Sequence, residues 1–427
     1  MAATAAAAVT AVRARYRTEL VRGVDRLPAG LWERLAPPDD PMWSRDVLRA
    51  MEASAIGPDG YGYLVLRQDD GGAARAGRGS GPGDGPSPGP EVLAVLPVSL
   101  FPRLRLDEVV GAEDRRRLAP VRRSAPGLLR VPMLFCGHLL GQGHLLTDRR
   151  LPRPALDALL GGVLALARRE RLGTVVFKDF AAIELAGLRP ALEGAGFFPV
   201  PALPDTELRL GDGGFEDYLA RLPAKARRNA RAKLRRSAGW PGLRTEVLTD
   251  FAHLLPEVLG LYRQVMDRAD QRLDVLDAAF LAAVHDGDPA GRRLVACFED
   301  GRLVAFLLCL FAGTGATGAR IGLDYRIAHQ AGLYHAVHHA AIRYAIEAGC
   351  THIRFAQTAY QPKLELGCEL VEQWYAMTHV GPLRRAVLRR ALPPALAAAR
   401  SRALGPHAAA PAHTHTPASE RSPRAAR

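Results

Sequence analysis

Three groups of side chains in this sequence are spaced to do chemistry. The first is Asp324-Tyr325, which closes an apolar, strand-like run. A carboxylate at a strand end can take a proton or position an amine, and it can equally cap the loop that follows. Tyr325, Tyr334 and Tyr360 are candidates for a proton donor or a substrate contact; each can also be a rim aromatic with a satisfied hydroxyl. Gln357, just past the run IRFA, is a candidate to bind substrate. The second group is cationic. Arg221 to Arg236 carries eight basic residues and no acid, Lys225 and Arg228 among them. Eight unpaired like charges repel along a helix, and a polyanion relieves them. The expected partner is a nucleotide-linked precursor, the acceptor arm of a tRNA or anionic lipid headgroups. No aromatics interleave with these charges, so sequence-specific nucleic-acid recognition is not expected. The third group is His335, His338 and His339. No acid sits between them as in HExxH, so they read as filling of a helix face, and no metal is expected.

Lysine usage narrows the search. Only four of the 57 basic residues are lysine: Lys178, Lys225, Lys233 and Lys363. A lysine shifts its pKa on burial and fits a compact pocket, whereas arginine does neither. Lys363 therefore joins the catalytic candidates and Lys178 the substrate-binding ones.

The elements that position these residues follow from periodicity and turn signals. The run RRLVACFEDGRLVAFLLCLF reads as a hairpin turning at Asp300-Gly301. Ala319–Tyr325 reads as a strand, Leu333–Ala348 as a helix capped by Gly349, His352–Gln357 as a strand and Val371–His379 as a final strand. Upstream, Thr206–Leu210 is a strand, helices cover Phe215–Leu222 and Pro223–Arg236, and Phe251–Asp267 has helical spacing. Pro382–Arg400 is a basic helix. The first half repeats the plan: helix Leu156–Ala167, then VVFKDF, mirrors Leu333–Ala348, then IRFAQT. This order predicts two copies of one α/β fold. The expected division is a disordered N-terminus over 1–12, a first domain over 13–204, a second over 205–380, a basic helix over 381–403 and a disordered tail over 404–427. A Gly/Pro-rich insert over 71–90 reads as a flexible loop between two strands.

Composition closes off other classes. The 427 residues are 48% hydrophobic and 24% charged, as in globular proteins. No run of about eighteen uncharged apolar residues exists, so no transmembrane segment is expected. Five scattered cysteines without a CxxC pair argue against a zinc or disulfide framework and for a reducing cytoplasm, with the lipid option placing the chain at the inner membrane face. Of the net charge of +13, Arg221–Arg236 supplies eight and Arg384 to Arg427 another eight, leaving the remainder near neutral.

The order hairpin, strand, loop, helix, strand, short helix, strand resembles the GNAT acyltransferase fold. The run GLDYRIAHQAGLYHAVHHAAIRYAIEAGCTHIRFAQTAYQPKLELGCEL, with LPAKARRNARAKLRR before it, resembles the tandem-GNAT proteins related to Fem-type peptidyltransferases of peptidoglycan biosynthesis. The resemblance implies mixed, mainly antiparallel sheets flanked by helices, with the first copy degenerate. It implies N-acyl transfer from an acyl-CoA thioester to an amine of a small molecule or of a cell-envelope, glycan or nucleotide-linked precursor. The donor is aminoacyl-tRNA in the Fem-type alternative, and a non-catalytic module binding an anionic glycan precursor is the third reading. The usual phosphate-binding loop, Gln/Arg-x-x-Gly-x-Gly/Ala, maps onto His329, Gln330, Gly332, Leu333 and Tyr334. Tyr334 stands where the pattern has a small residue and sets a bulky ring against the space of a pyrophosphate. His138 to Gly143 (HLLGQG) keeps both glycines but precedes a Pro-interrupted loop.

Overall fold

The computed structural model describes residues 15–54, 56–69, 91–269 and 275–405. The insert, the N-terminal dozen residues and all but the first two residues of the tail lie outside them. Among the described residues fourteen strands form two seven-stranded sheets. The first contains β1 (Tyr16–Val21), β2 (Gly60–Gln68), β3 (Glu91–Arg105), β4 (Arg130–Cys136), β5 (Thr174–Ala181) and β6 (Phe198–Pro201). The second contains β7 (Asp205–Arg209), β8 (Leu243–Leu248), β9 (Arg292–Glu299), β10 (Arg302–Ala312), β11 (Gly315–Leu323), β12 (His352–Arg354) and β13 (Glu369–Val371). The helices that pack on them are α1 (Arg45–Ala53), α2 (Arg153–Arg169), α3 (Ala182–Gly194), α4 (Phe215–Arg221), α5 (Ala224–Ala238), α6 (Leu255–Arg268), α7 (Ala278–Asp286), α8 (Leu333–Glu347), α9 (Tyr360–Glu365) and α10 (Pro382–Leu404). The β9–β10 hairpin turns at Asp300 and Gly301, both with positive φ, as a type I′ turn requires.

The last strand departs from the expected boundary at 380. Val371–His379 is two strands, not one. β13 stays in the second sheet beside β7, whereas β14 (Gln373–His379) enters the first sheet between β5 and β6. Only Glu372 separates them, fewer than the two residues a hairpin needs, so the chain cannot fold back and runs on into the other sheet. The β6–β7 connection does the reverse. Pro201 and Pro204 hold it extended, and the strands on either side join different sheets.

This exchange fuses the copies. One apolar cluster is shared by both halves: Trp43, Met51, Val176 and Val200 from the first pack with Val258, Phe280, Leu294 and Phe306 from the second. The core beneath α8 belongs to the second copy alone, and that beneath α2 to the first apart from Ala376 of the exchanged β14.

Candidate active site

In each copy two central strands run parallel and then part. β11 pairs with β12 only from Gly315 to Thr317, opposite His352 to Arg354. β4 pairs with β5 from Met133 to Cys136. In the first copy the gap beyond is filled by the chain itself. Gly143 bridges to Phe180, and its N–H donates to the Asp179 carbonyl at 2.9 Å. A Cβ on Gly143 would lie 2.1 Å from the Lys178 carbonyl oxygen, so only glycine fits this filling. HLLGQG is thus the plug of the first cleft and not a phosphate loop.

In the second copy the gap adjoins the start of α8. Gly332 caps that helix in the left-handed region at φ 69°, which glycine adopts without strain. Leu333 is wholly buried, while His329 and Gln330 are exposed on the loop. Tyr334 turns inward: its ring stacks on His338 at 4.0 Å, and its buried hydroxyl has no partner. It therefore does not obstruct the helix end as its bulk suggested. His338 and His339 donate from Nδ1 to the Tyr334 and His335 carbonyls at 2.7 and 2.8 Å. Burial holds them neutral, His338 at about 3 and His339 at about 4. His338 also packs 4.8 Å from Phe355, whose ring lies against Gly318. Tyr334, His338 and Phe355 form a continuous wall between α8 and β11. Among the described residues no group of three or more His, Cys, Asp or Glu could hold a metal ion.

Asp324 is buried and fixed. Its carboxylate accepts from the Arg326 backbone N–H at 3.1 Å and from the Arg326 and Arg302 guanidiniums. Bonding to Arg326 outweighs burial and holds the carboxyl at about 2. Such a group is a poor proton acceptor and a good anchor for the loop. Tyr325 is 38% exposed, with the Arg268 guanidinium 4.1 Å over its ring.

The basic helix α5 packs beside α8. Four of the eight basic residues of Arg221–Arg236 are already engaged, contrary to the expectation of eight unpaired cations. Arg221, in the preceding helix, donates to the Leu210 carbonyl and Arg227 to that of Ala220; Arg231 faces Glu216; Lys233 reaches Glu365 and sits 2.7 Å from His335. Lys225, Arg228, Arg235 and Arg236 are exposed and form no ion pair among the described residues. The Arg236 side chain passes Gly332, 3.8 Å from where a Cβ would stand.

The other candidates gather elsewhere, at the seam between the sheets. Lys178 pairs with Asp179. Gln357 donates from Nε2 to Asp179 Oδ1 at 3.0 Å and lies 2.9 Å from Gln373 Oε1. Lys363 Nζ donates to the Ala356 and Gln357 carbonyls at 2.9 and 3.0 Å, and burial lowers it to about 8. Those carbonyls belong to a turn in which Ala356, Thr358 and Ala359 all have positive φ, a strained path that Lys363 ties down. Tyr360 donates to the Pro204 carbonyl at 2.8 Å. Arg354 bridges Glu207 at 2.9 Å and Asp40 at 3.0 Å, and burial raises the pKa of Asp205 alongside. Gln357 to Asp179 and Arg354 to Asp40 thus cross between the copies, Tyr360 ties α9 to the β6–β7 connection, and Lys178 and Lys363 brace Asp179 and Gln357 from within their own copies. Sequence reasoning missed Asp179, Asp205, Gln373 and Arg354. The repeat carried one signal, since VVFKDF set against IRFAQT puts Asp179 opposite Gln357.

A family profile described as an acetyltransferase (GNAT) domain matches residues 224–364. No curated protein matches the sequence. Among solved structures, FemX aligns at a TM-score of 0.51 and 12% identity, over 84% of this chain and 96% of that one. A tandem GNAT protein from the clavulanic acid biosynthesis pathway aligns at 0.47 and 14%, over 86% and 99%. The C-terminal domain of a putative lysylphosphatidylglycerol synthetase from Agrobacterium fabrum aligns at 0.47 and 10%, over 84% and 96%. Residues 224–364 thus carry a GNAT domain, and the chain shares the fold of FemX across most of its length.

Proposed function

We propose that the second copy is an N-acyltransferase whose donor is an acyl-CoA thioester and whose acceptor is an amine. One observation carries this reading: β11 parts from β12 beside the start of α8, where Gly332 leaves room and Arg236 adds a cation. The first-turn amides of α8 and the Arg236 guanidinium suit the donor's phosphates. The bound thioester supplies an activated acyl carbon. The edge of β11 beyond Thr317, no longer paired with β12, can offer a backbone N–H to the oxyanion. Tyr334, His338 and Phe355 keep water from one side of the gap. Asp324 anchors the loop; as the amine nitrogen bonds to the acyl carbon the C–S bond breaks, the amine's proton passes to solvent at the exposed His329–Gln330 segment, and the leaving thiolate takes up a proton from solvent. The acceptor is a small molecule or an amine on a glycan or nucleotide-linked precursor.

Aminoacyl-tRNA is the second reading, favoured by the length of the free cationic stripe. Lys225 to Arg236 spans about 16 Å of helix, more than one pyrophosphate needs. Native mass spectrometry with acetyl-CoA, longer acyl-CoAs and charged tRNA tests both. Retention of acyl-CoA, lost in Arg236→Glu, supports the first. Retention of charged tRNA alone, lost in Lys225→Glu/Arg228→Glu, supports the second. Binding of either without transfer to any amine sinks the enzymatic reading.

A further inference from the structure

The edge of the first sheet carries a slot of about 230 Å³ between α3 and the β6–β14 pair. Its walls are hydrocarbon: Leu185, Leu192, Phe197, Pro199, Trp374 and Ala376. Water gains no hydrogen bonds against such a surface, whereas an apolar chain does gain contact. The charged groups stand at the rim. Arg189 bonds Glu193 through Nε at 2.8 Å, which leaves its two terminal nitrogens available there. Arg385, from the first turn of α10, lies over Gly196 in the turn that leads into Phe197 and has no carboxylate partner among the described residues. Arg385 is not itself part of the lining but stands next to it at Phe197, so two arginines face one glutamate near this end of the slot. Elsewhere on α10, Leu383 and Val387 project into solvent, 83% and 65% exposed, one helical turn apart and flanked by Arg384 and Arg389. Exposed aliphatics interleaved with arginines suit the boundary between an apolar phase and anionic headgroups.

We infer that this slot binds the aliphatic chain of an anionic amphiphile, with Arg189 and Arg385 holding the head. It is separate from the proposed transfer site, and its occupancy does not depend on acyl transfer.

Trp374 is a reporter built into the wall. Titration with 11-bromoundecanoate below its micellar concentration should quench its fluorescence saturably, and the quenching should vanish in Trp374→Phe. By calorimetry, dodecanoate should bind at least tenfold more tightly than octanoate. Ala186→Phe, at an exposed position of α3 that lines the slot, should weaken dodecanoate at least tenfold with an unchanged melting temperature. Arg189→Gln/Arg385→Gln should weaken dodecanoate about fivefold and leave dodecanol unaffected. Binding to phosphatidylglycerol vesicles that is lost in Ala186→Phe would identify a membrane lipid as the source; binding of the free chain without vesicles would identify a soluble fatty acid. Equal affinity for both chain lengths, unchanged affinity in Ala186→Phe, or full quenching in Trp374→Phe overturns the inference.

Discussion

Gln357 and Asp179 occupy corresponding positions of the two copies, one residue past the lysine or alanine that follows each central Phe, and they hydrogen-bond to each other at 3.0 Å. The contact marks where the two GNAT folds meet. Around it Lys178, Gln373, Tyr375 and Lys363 close a buried polar network, which is stabilising only while every member keeps its partners.

Gln357→Ala removes one donor from Asp179 and leaves it partly unsatisfied. The expected loss is about 1–3 kcal/mol of unfolding free energy, read by urea denaturation. Gln357→Glu sets a second carboxylate against Asp179 and should cost more than the alanine variant. Equal stability of the wild type and both variants would remove the network from the account of the fold.

Lys363 predicts a pH dependence with a definite sign. Its folded pKa of about 8 lies below the ordinary 10.5, so between these values the unfolded chain binds more protons. Stability relative to Lys363→Met should therefore rise as pH increases from about 8 to 10.5, by up to about 3 kcal/mol. Below pH 8 the difference should be flat. Lys363→Arg should be less stable throughout, because a guanidinium keeps its charge and does not fit the space between the two carbonyls.

Asp324→Asn separates an anchor from a base. An anchor's loss should raise the donor KM several-fold and leave the pH–rate profile between pH 5 and 9 unmoved. A shifted alkaline or acid limb would restore a proton-transfer role. The folded pKa of about 2 lies below the ordinary 3.8, so the stabilisation from this carboxylate is complete above 3.8 and disappears as pH falls through about 2.

Gly143→Ala places a methyl against the Lys178 carbonyl in the plug of the first cleft. The expected cost is on the order of 3 kcal/mol, because backbone must move to accept it. A thermal melt within a degree of wild type would show that the plug is not held as described.

The local elements and their order were legible from residue type and spacing alone. The Asp300-Gly301 turn, the α8 periodicity with its glycine boundaries, and the basic α5 run are short-range signals, and they appear where spacing puts them. The repeat of VVFKDF and IRFAQT likewise made two copies legible. Tertiary structure decided what those residues face. Strand exchange depends on Glu372 being too short a link to turn, and on which sheet then offers a free edge. Neither is a property of periodicity. The exchange carried four of the candidate site residues into a seam where their charges and hydrogen bonds are spent on each other. It left the α8 terminus and Arg236 at the open gap. Residue type told that Lys363, Asp324 and Tyr334 are chemically able; only burial and partners, set by residues distant in the chain, decided that Lys363 and Asp324 are braces and Tyr334 a wall.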